Sequence, residues 1–238
     1  MKCLSERELQ FLREYCTVMH PLTVALDILQ GEENCYYGTL LPALETLMSK
    51  TLEKKNGLQI LVGLPDAIVQ SIKTRFTTVL ASEDAILAAV TLPKFKLRWL
   101  RDQERKDQAK ASLLAECRKR ILEQEQQPGT SAPNPTPQHS AGSAKEAEFF
   151  SFSEDEESSA ETEVADYLKS GATGLESLNQ FPLIKKISLR YNAATPSSAP
   201  VERLFSLGSL ILSPKRNRLS DQKFERLLLL RYNHWLER

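Results

Sequence analysis

Residues 124–144, QEQQPGTSAPNPTPQHSAGSA, hold four of the chain's twelve prolines and no aliphatic side chain larger than alanine. Such a stretch buries too little surface to offset the ~1–2 kcal/mol per residue that ordering a backbone costs. The sequence that follows, EFFSFSEDEESSAETE, adds a block of like charge that repels itself. Together these features predict a disordered linker over residues 125–162. The fold must then be built from two lobes, residues 1–124 and residues 163–238. Charge divides the chain in the same way. Residues 1–127 carry 18 basic and 17 acidic side chains, residues 128–166 one and nine, and residues 167–238 twelve and five. The net charge of zero therefore joins a balanced, an acidic and a basic segment.

Several classes of protein are set aside by composition. With 41% hydrophobic and 26% charged residues the chain is near the globular average. The longest apolar-leaning uncharged run, Tyr15 to Leu26, is a dozen residues, against the ~20 of a membrane span. The opening MKCLSERELQ has no apolar stretch behind its charges, so no secretory signal is expected. Cys3, Cys16, Cys35 and Cys117, with His20, His139 and His234, show no CxxC or HxxxH spacing. No metal site or cofactor is expected from them, and a reducing compartment is.

The N-terminal lobe reads as helices. Ser5-Glu6-Arg7-Glu8 is a capping box, followed by Leu9, Leu12, Cys16 and Met19 at helical spacing, widened by Phe11, Tyr15 and Val18. Pro21 is expected to end this helix, with a second over 22–30 stopping at Gly31. A third is expected from Leu40 to Lys54, a fourth from Pro65, and a short fifth over Glu83–Val90. Phe95 to Gln124 contains no Pro or Gly and reads as one long helix. Only Leu58–Val62 and Ala88–Leu92 resemble strands, and both are short.

From Lys94 to Arg120 there are ten basic and four acidic residues. Lys94, Lys96 and Arg98 beside Trp99 could meet nucleic acid, a phosphate contact next to a stacking ring. The plainer alternative is a solvated amphipathic helix with Trp99 in the core. The sequence contains no GxSxG, HExxH, Walker loop or GxGxxG.

In the C-terminal lobe, Ser197 and Ser198 precede Ala199-Pro200, a helix entry with proline in its first turn and Glu202 complementing the dipole. Leu204, Phe205, Leu207, Leu210, Ile211 and Leu212 make that helix apolar over much of its circumference. Pro214 stops it. Lys215, Arg216 and Arg218 form a basic turn, another candidate for DNA contact, and Ser220 caps a last helix carrying Phe224, Leu227, Leu228, Leu230 and Trp235. Two helices alone cannot hide this much apolar surface, and such surfaces usually meet a partner. Phe205, Leu207, Leu210, Ile211, Phe224, Leu227, Leu228 and Trp235 are the candidate interface.

These residues resemble the C-terminal dimerisation region of hAT-superfamily transposases and their domesticated descendants. The resemblance rests on Pro196-Ser197-Ser198-Ala199-Pro200-Val201-Glu202-Arg203-Leu204-Phe205-Ser206, on Lys215-Arg216-Asn217-Arg218-Leu219-Ser220, and on Leu227-Leu228-Leu229-Leu230 with Asn233. Leu29-Gln30-Gly31-Glu32, Gly38-Thr39-Leu40-Leu41-Pro42 and Pro93-Lys94-Phe95-Lys96-Leu97-Arg98-Trp99-Leu100 are similar to the helical region that precedes it in BED-finger-associated members. The resemblance implies a mainly α fold, the remnant of an RNase H-like transposase without its central sheet. It also implies a nuclear location and partners that are copies of the chain or related hAT-derived proteins. In that family two aspartates and one glutamate hold two divalent metals. The glutamate matches Glu202, and both aspartates belong upstream of the matching region. Two-metal chemistry needs several carboxylates converging on ions ~3.5–4 Å apart, so Glu202 is expected to be vestigial and the chain not to be an enzyme.

The sequence thus points to a non-catalytic, transposase-derived protein that acts by dimerising. The alternative is a C-terminal fragment of a DNA transposase, and a third reading is DNA binding through residues 94–120. Within the linker, Ser151, Ser153 and Ser158 each have an acidic residue three positions on, the pattern acidophilic kinases prefer. Phosphorylation there would add about −1.5 to −2 charges per site.

Overall fold

The computed structural model describes residues 3–31, 36–125, 154–212 and 219–236, and every regular element among them is helical. In chain order the α-helices are α1 Glu6–Gln30, α2 Leu40–Glu53, α3 Leu64–Arg75, α4 Thr77–Leu80, α5 Glu83–Val90, α6 Gln103–Glu125, α7 Glu154–Lys169, α8 Pro182–Tyr191, α9 Ala199–Ile211 and α10 Asp221–Leu236. They pack as two compact units, residues 1–75 with 194–238, and residues 76–193. This partition cuts the chain elsewhere than the sequence division at the linker. Both α6, before the linker, and α7, after it, belong to the second unit and pack on each other.

In the first unit, Ser5 and Glu8 form the expected capping box: the Glu8 amide donates to Ser5 Oγ and the Ser5 amide to the Glu8 carboxylate at 2.8 Å. Glu8 is held below the usual carboxylate range by those bonds to Ser5. The helix does not stop at Pro21 as its sequence suggests. Pro21 lies inside α1, on a buried stripe with Glu14, Val18 and Ala25, so packing of its ring holds the helix through the missing amide. The expected core stripe is also displaced. Leu9, Leu12 and Cys16 are exposed and Met19 is half-buried, while Phe11 and Tyr15 stack on each other at the surface, 6.2 Å between centroids.

What α1 buries instead is a carboxylate. Glu14 accepts from the backbone amides of Gln59, Ile60 and Leu61, each at 2.9 Å, and from the Gln10 side chain at 2.9 Å. Burial works to raise its pKa, but the amides of Leu61 and Gln59, the Gln10 side chain and the Ile60 amide outweigh it and bring it down to about 2. The Leu58–Val62 segment, strand-like by composition, is therefore a turn whose successive amides converge on one side chain. Helix α2 packs on α1 through a face that includes Leu40, Leu41, Leu44, Leu47 and Met48, and α3, with Pro65 in its first turn, packs on α2.

In the second unit, α5, α6, α7 and α8 enclose a core that includes Leu87, Val90, Leu113, Val164, Tyr167, Phe181, Ile184 and Ile187. Helix α7 begins at Glu154, inside the segment read as linker. The reason is its apolar stripe Ala160, Val164, Tyr167, spaced i, i+4, i+7 and fully buried, while its acidic first turn suits the helix dipole. Residues 126–153, and with them Ser151 and Ser153, lie outside the described residues; Ser158 is in α7, its side chain undescribed. Glu163 accepts from the Ile184 amide at 3.0 Å, yet burial holds its pKa above the ordinary glutamate value. Cys117 is a core thiol, pushed up to about 12 by burial and then by Glu163 and Glu116. Ala88–Leu92, the other strand-like stretch, is the end of α5 and the turn after it.

The expected long helix from Phe95 starts only at Gln103; residues 93–99 are successive turns. Lys96 has φ +48°, a left-handed backbone that lysine rarely adopts. The ammonium explains it. It is buried, donates to the carbonyl of Tyr167 at 2.7 Å and to that of Ser170, and lies 4.8 Å from the Tyr167 ring centre. A cation is thereby placed at the C-terminal end of α7, where the helix dipole favours one. Tyr167 in turn donates its hydroxyl to the Val90 carbonyl at 2.9 Å and meets Phe181 edge-on at 5.4 Å.

Candidate protein–protein interface

The α9–α10 pair is built around a close approach. A side chain at Gly208 would meet Phe224 Cζ at 3.2 Å and Leu228 Cδ1 at 4.0 Å. Glycine here lets the Phe224 ring rest on the α9 backbone, and Ile211, one turn on, is also buried. The candidate interface residues consequently separate into two sets. Ile211 is buried, and Leu207, Phe224 and Leu228 are half-buried, within the first unit. Phe205, Leu210 and Leu227 face solvent.

The solvent-facing set is larger than the sequence suggests. Phe205 is 72% exposed, Leu210 60% and Leu230 68%, and Val201, Leu212 and Leu229 are exposed too. Val201 and Phe205, spaced i, i+4, share one edge of α9, and Leu212 caps its C-terminal end. Leu227 and Leu230 form a neighbouring pair on α10. The quadruple-leucine run carries the signal for Leu229 and Leu230, which helical periodicity alone does not assign to an outer face. The Trp235 side chain and residues Lys215, Arg216 and Arg218 lie outside what is described.

The Ser-Ala-Pro-x-Glu-Arg turn anchors this pair to α1 within the same unit. Ser197 Oγ donates to the Leu29 carbonyl at 2.8 Å, Arg203 to the Gln30 carbonyl at 2.6 Å, and the Tyr37 amide to the Ala194 carbonyl at 3.1 Å. Helix α1 has no basic residue in its last turn, and the Arg203 guanidinium supplies the positive charge its C-terminus favours. Glu202 is exposed, and its carboxylate accepts from Ser198 Oγ at 2.6 Å.

Residues 145–234 match the family model of the hAT family C-terminal dimerisation region. The chain carries an hAT-type dimerisation region. A dimerisation region of this kind implies pairing with copies of the chain or with related proteins. No curated protein matches the chain. The hAT region spans both packing units: α7 and α8 are in the second, α9 and α10 in the first. Among the described residues its exposed large apolar side chains are Leu189 on α8, the α9 and α10 set given above, and Leu212 just after α9.

Of the residues considered for DNA contact, Lys94, Lys96 and Arg98 are not brought together as a helical face. Lys94 and Arg98 are exposed, but they sit in the turns before α6, and Lys96 between them is buried with its ammonium committed to α7. Trp99 is half-buried and donates to the Lys96 carbonyl at 3.0 Å. Among the described residues no group of three or more His, Cys, Asp and Glu is placed to hold a metal, and no helix is long and apolar enough to cross a membrane.

Proposed function

We propose that this chain is a non-catalytic, transposase-derived protein that works in the nucleus by pairing with itself or with related hAT-derived proteins. The observation that carries the reading is the apolar outer surface of α9 and α10, inside the hAT dimerisation region. Each large apolar side chain withdrawn from water contributes ~1.5–3 kcal/mol, so covering Phe205, Leu210, Leu227 and Leu230 supplies a substantial driving force for association. The non-catalytic part is supported by Glu202, whose carboxylate is engaged by Ser198 in the first turn of α9.

Sedimentation of the full chain at micromolar concentration tests the pairing. A dimer at low micromolar concentration that the Phe205→Asp, Leu230→Asp double variant no longer forms at that concentration is the expected result, and a monomer throughout would remove the reading. Incubation with supercoiled DNA and magnesium or manganese tests the rest. No nicking is expected, and metal-dependent cleavage lost in Glu202→Gln would overturn it. Imaging of the tagged chain in cells should place it in the nucleus.

A further inference from the structure

Helix α1 carries a second apolar surface, outside the hAT region. Leu12, Tyr15, Met19, Leu22, Leu26 and Leu29 follow one another at steps of 3, 4, 3, 4 and 3 over five helical turns. That alternation is the seam of a two-helix coiled coil rather than a general apolar face. It lies beside the stripe Glu14, Val18, Pro21, Ala25 that the chain buries itself. Leu12, Tyr15 and Leu26 are exposed, and Met19, Leu22 and Leu29 are only half-buried.

The charges beside the seam say what fits it. On its open flank stand Arg13, Cys16, His20, Thr23 and Asp27, all exposed. In an antiparallel pair of identical helices the same flank of both copies meets across the seam. Layering Leu12 on Leu29 of the second copy, Tyr15 on Leu26 and Met19 on Leu22 then brings Arg13 opposite Asp27, twice by symmetry. A parallel pair would instead bring opposite flanks together, so that Arg13 does not meet Asp27, and would set Glu8 against Glu8 in the seam one turn before Leu12. Like charges so placed are destabilising. We propose that α1 is a second self-association surface, on which a second copy of this chain lays its own α1 antiparallel. Residues 6–30 lie outside the matched region, and the α1 seam shares no residue with the outer face of α9 and α10, so a chain with both surfaces can join more than one copy.

The test uses the full chain carrying Phe205→Asp and Leu230→Asp, so that any pairing left is not through α9 and α10. Sedimentation at high micromolar concentration should still show association. Arg13→Asp should weaken it about tenfold, and Arg13→Asp with Asp27→Arg should restore it, since the swapped pair is again complementary. Both positions are exposed and off the buried stripe, and circular dichroism confirms that the fold is kept. Under oxidation, Thr23→Cys should give a dimer in which Cys16 of one copy is linked to the new thiol at position 23 of the other. A monomer at every concentration, a charge-swapped variant no better than the single one, or a dimer linked Cys16 to Cys16 instead would each overturn the proposal. If some other part of the chain covers this face, the first of these is the result.

Discussion

The two halves of the hAT region have opposite fates. In α7 and α8, Ala160, Val164, Tyr167, Ile184 and Ile187 are buried to 1% exposure or less, packed with α5 and α6. In α9 and α10, Phe205, Leu210 and Leu230 remain at least 60% exposed. Both halves are rich in large apolar residues, so richness alone does not mark an interface. What distinguishes them is supply of partners. The first half finds apolar helices and a lysine clamp in its own chain, while the second finds one neighbouring helix and an anchor at the end of α1.

The strongest way to break the contrast is to empty the self-sufficient half. Tyr167→Ala removes a fully buried ring and the bond to Val90, and should cost about 3–5 kcal/mol, read by urea unfolding. Lys96→Met keeps much of the length but strips the cation from two carbonyls at the end of α7. A loss of about 2–3 kcal/mol is expected, and no loss would mean the clamp is ornamental. Gly208→Val comes next. Its branches would push Phe224 and Leu228 off α9, an overpacking effect of about 1–3 kcal/mol, seen as a lower melting midpoint and a more exposed hairpin. Phe205→Asp sits at the small end, since surface changes fall within about 0.5 kcal/mol. Yet it should abolish the α9–α10 pairing in sedimentation, which makes it the sharpest discriminator between folding and association.

Parts of this arrangement are legible in the chain itself. The Ser5 capping box, α2, the α5 bounds Glu83–Val90 and the helical entry at Ala199-Pro200 follow from local chemistry, because caps and periodicity act over a few residues. Pro21 and Lys96 are not legible in that way. A proline is kept inside a helix when its ring packs against a neighbouring element, and a lysine is buried when two carbonyls distant in sequence converge on it. Both causes are tertiary. Periodicity points Leu9, Leu12 and Cys16 at a core for the same reason: it shows that a face is apolar, not whether its own chain covers it. The acidic start of α7 reads as a repelling block, and the Ala160–Val164–Tyr167 stripe that overrides the repulsion is hidden within it. Of the interface residues, Phe205, Leu210 and Leu227 face outward, while Ile211 serves the fold of the first unit.

Acid should act on the two units in opposite senses, because of the two glutamates that hold backbone amides. Glu14 titrates at about 2 in the folded chain against an ordinary 4.5, so the stability it gives is fully present above about 4.5 and drains away as the pH falls toward 2. Glu163 has the reverse displacement, its pKa raised, so protonation relieves the second unit instead of loosening it. Hydrogen exchange followed from neutral pH down to about pH 2 should therefore show the amides of Gln59, Ile60 and Leu61 losing protection below about pH 4.5 while those of Leu183 and Ile184 keep theirs. A carboxylate that clasps three amides is thus also a fuse, and strong acid, approaching pH 2, becomes a means of opening the first unit, with the surfaces it carries, ahead of the second.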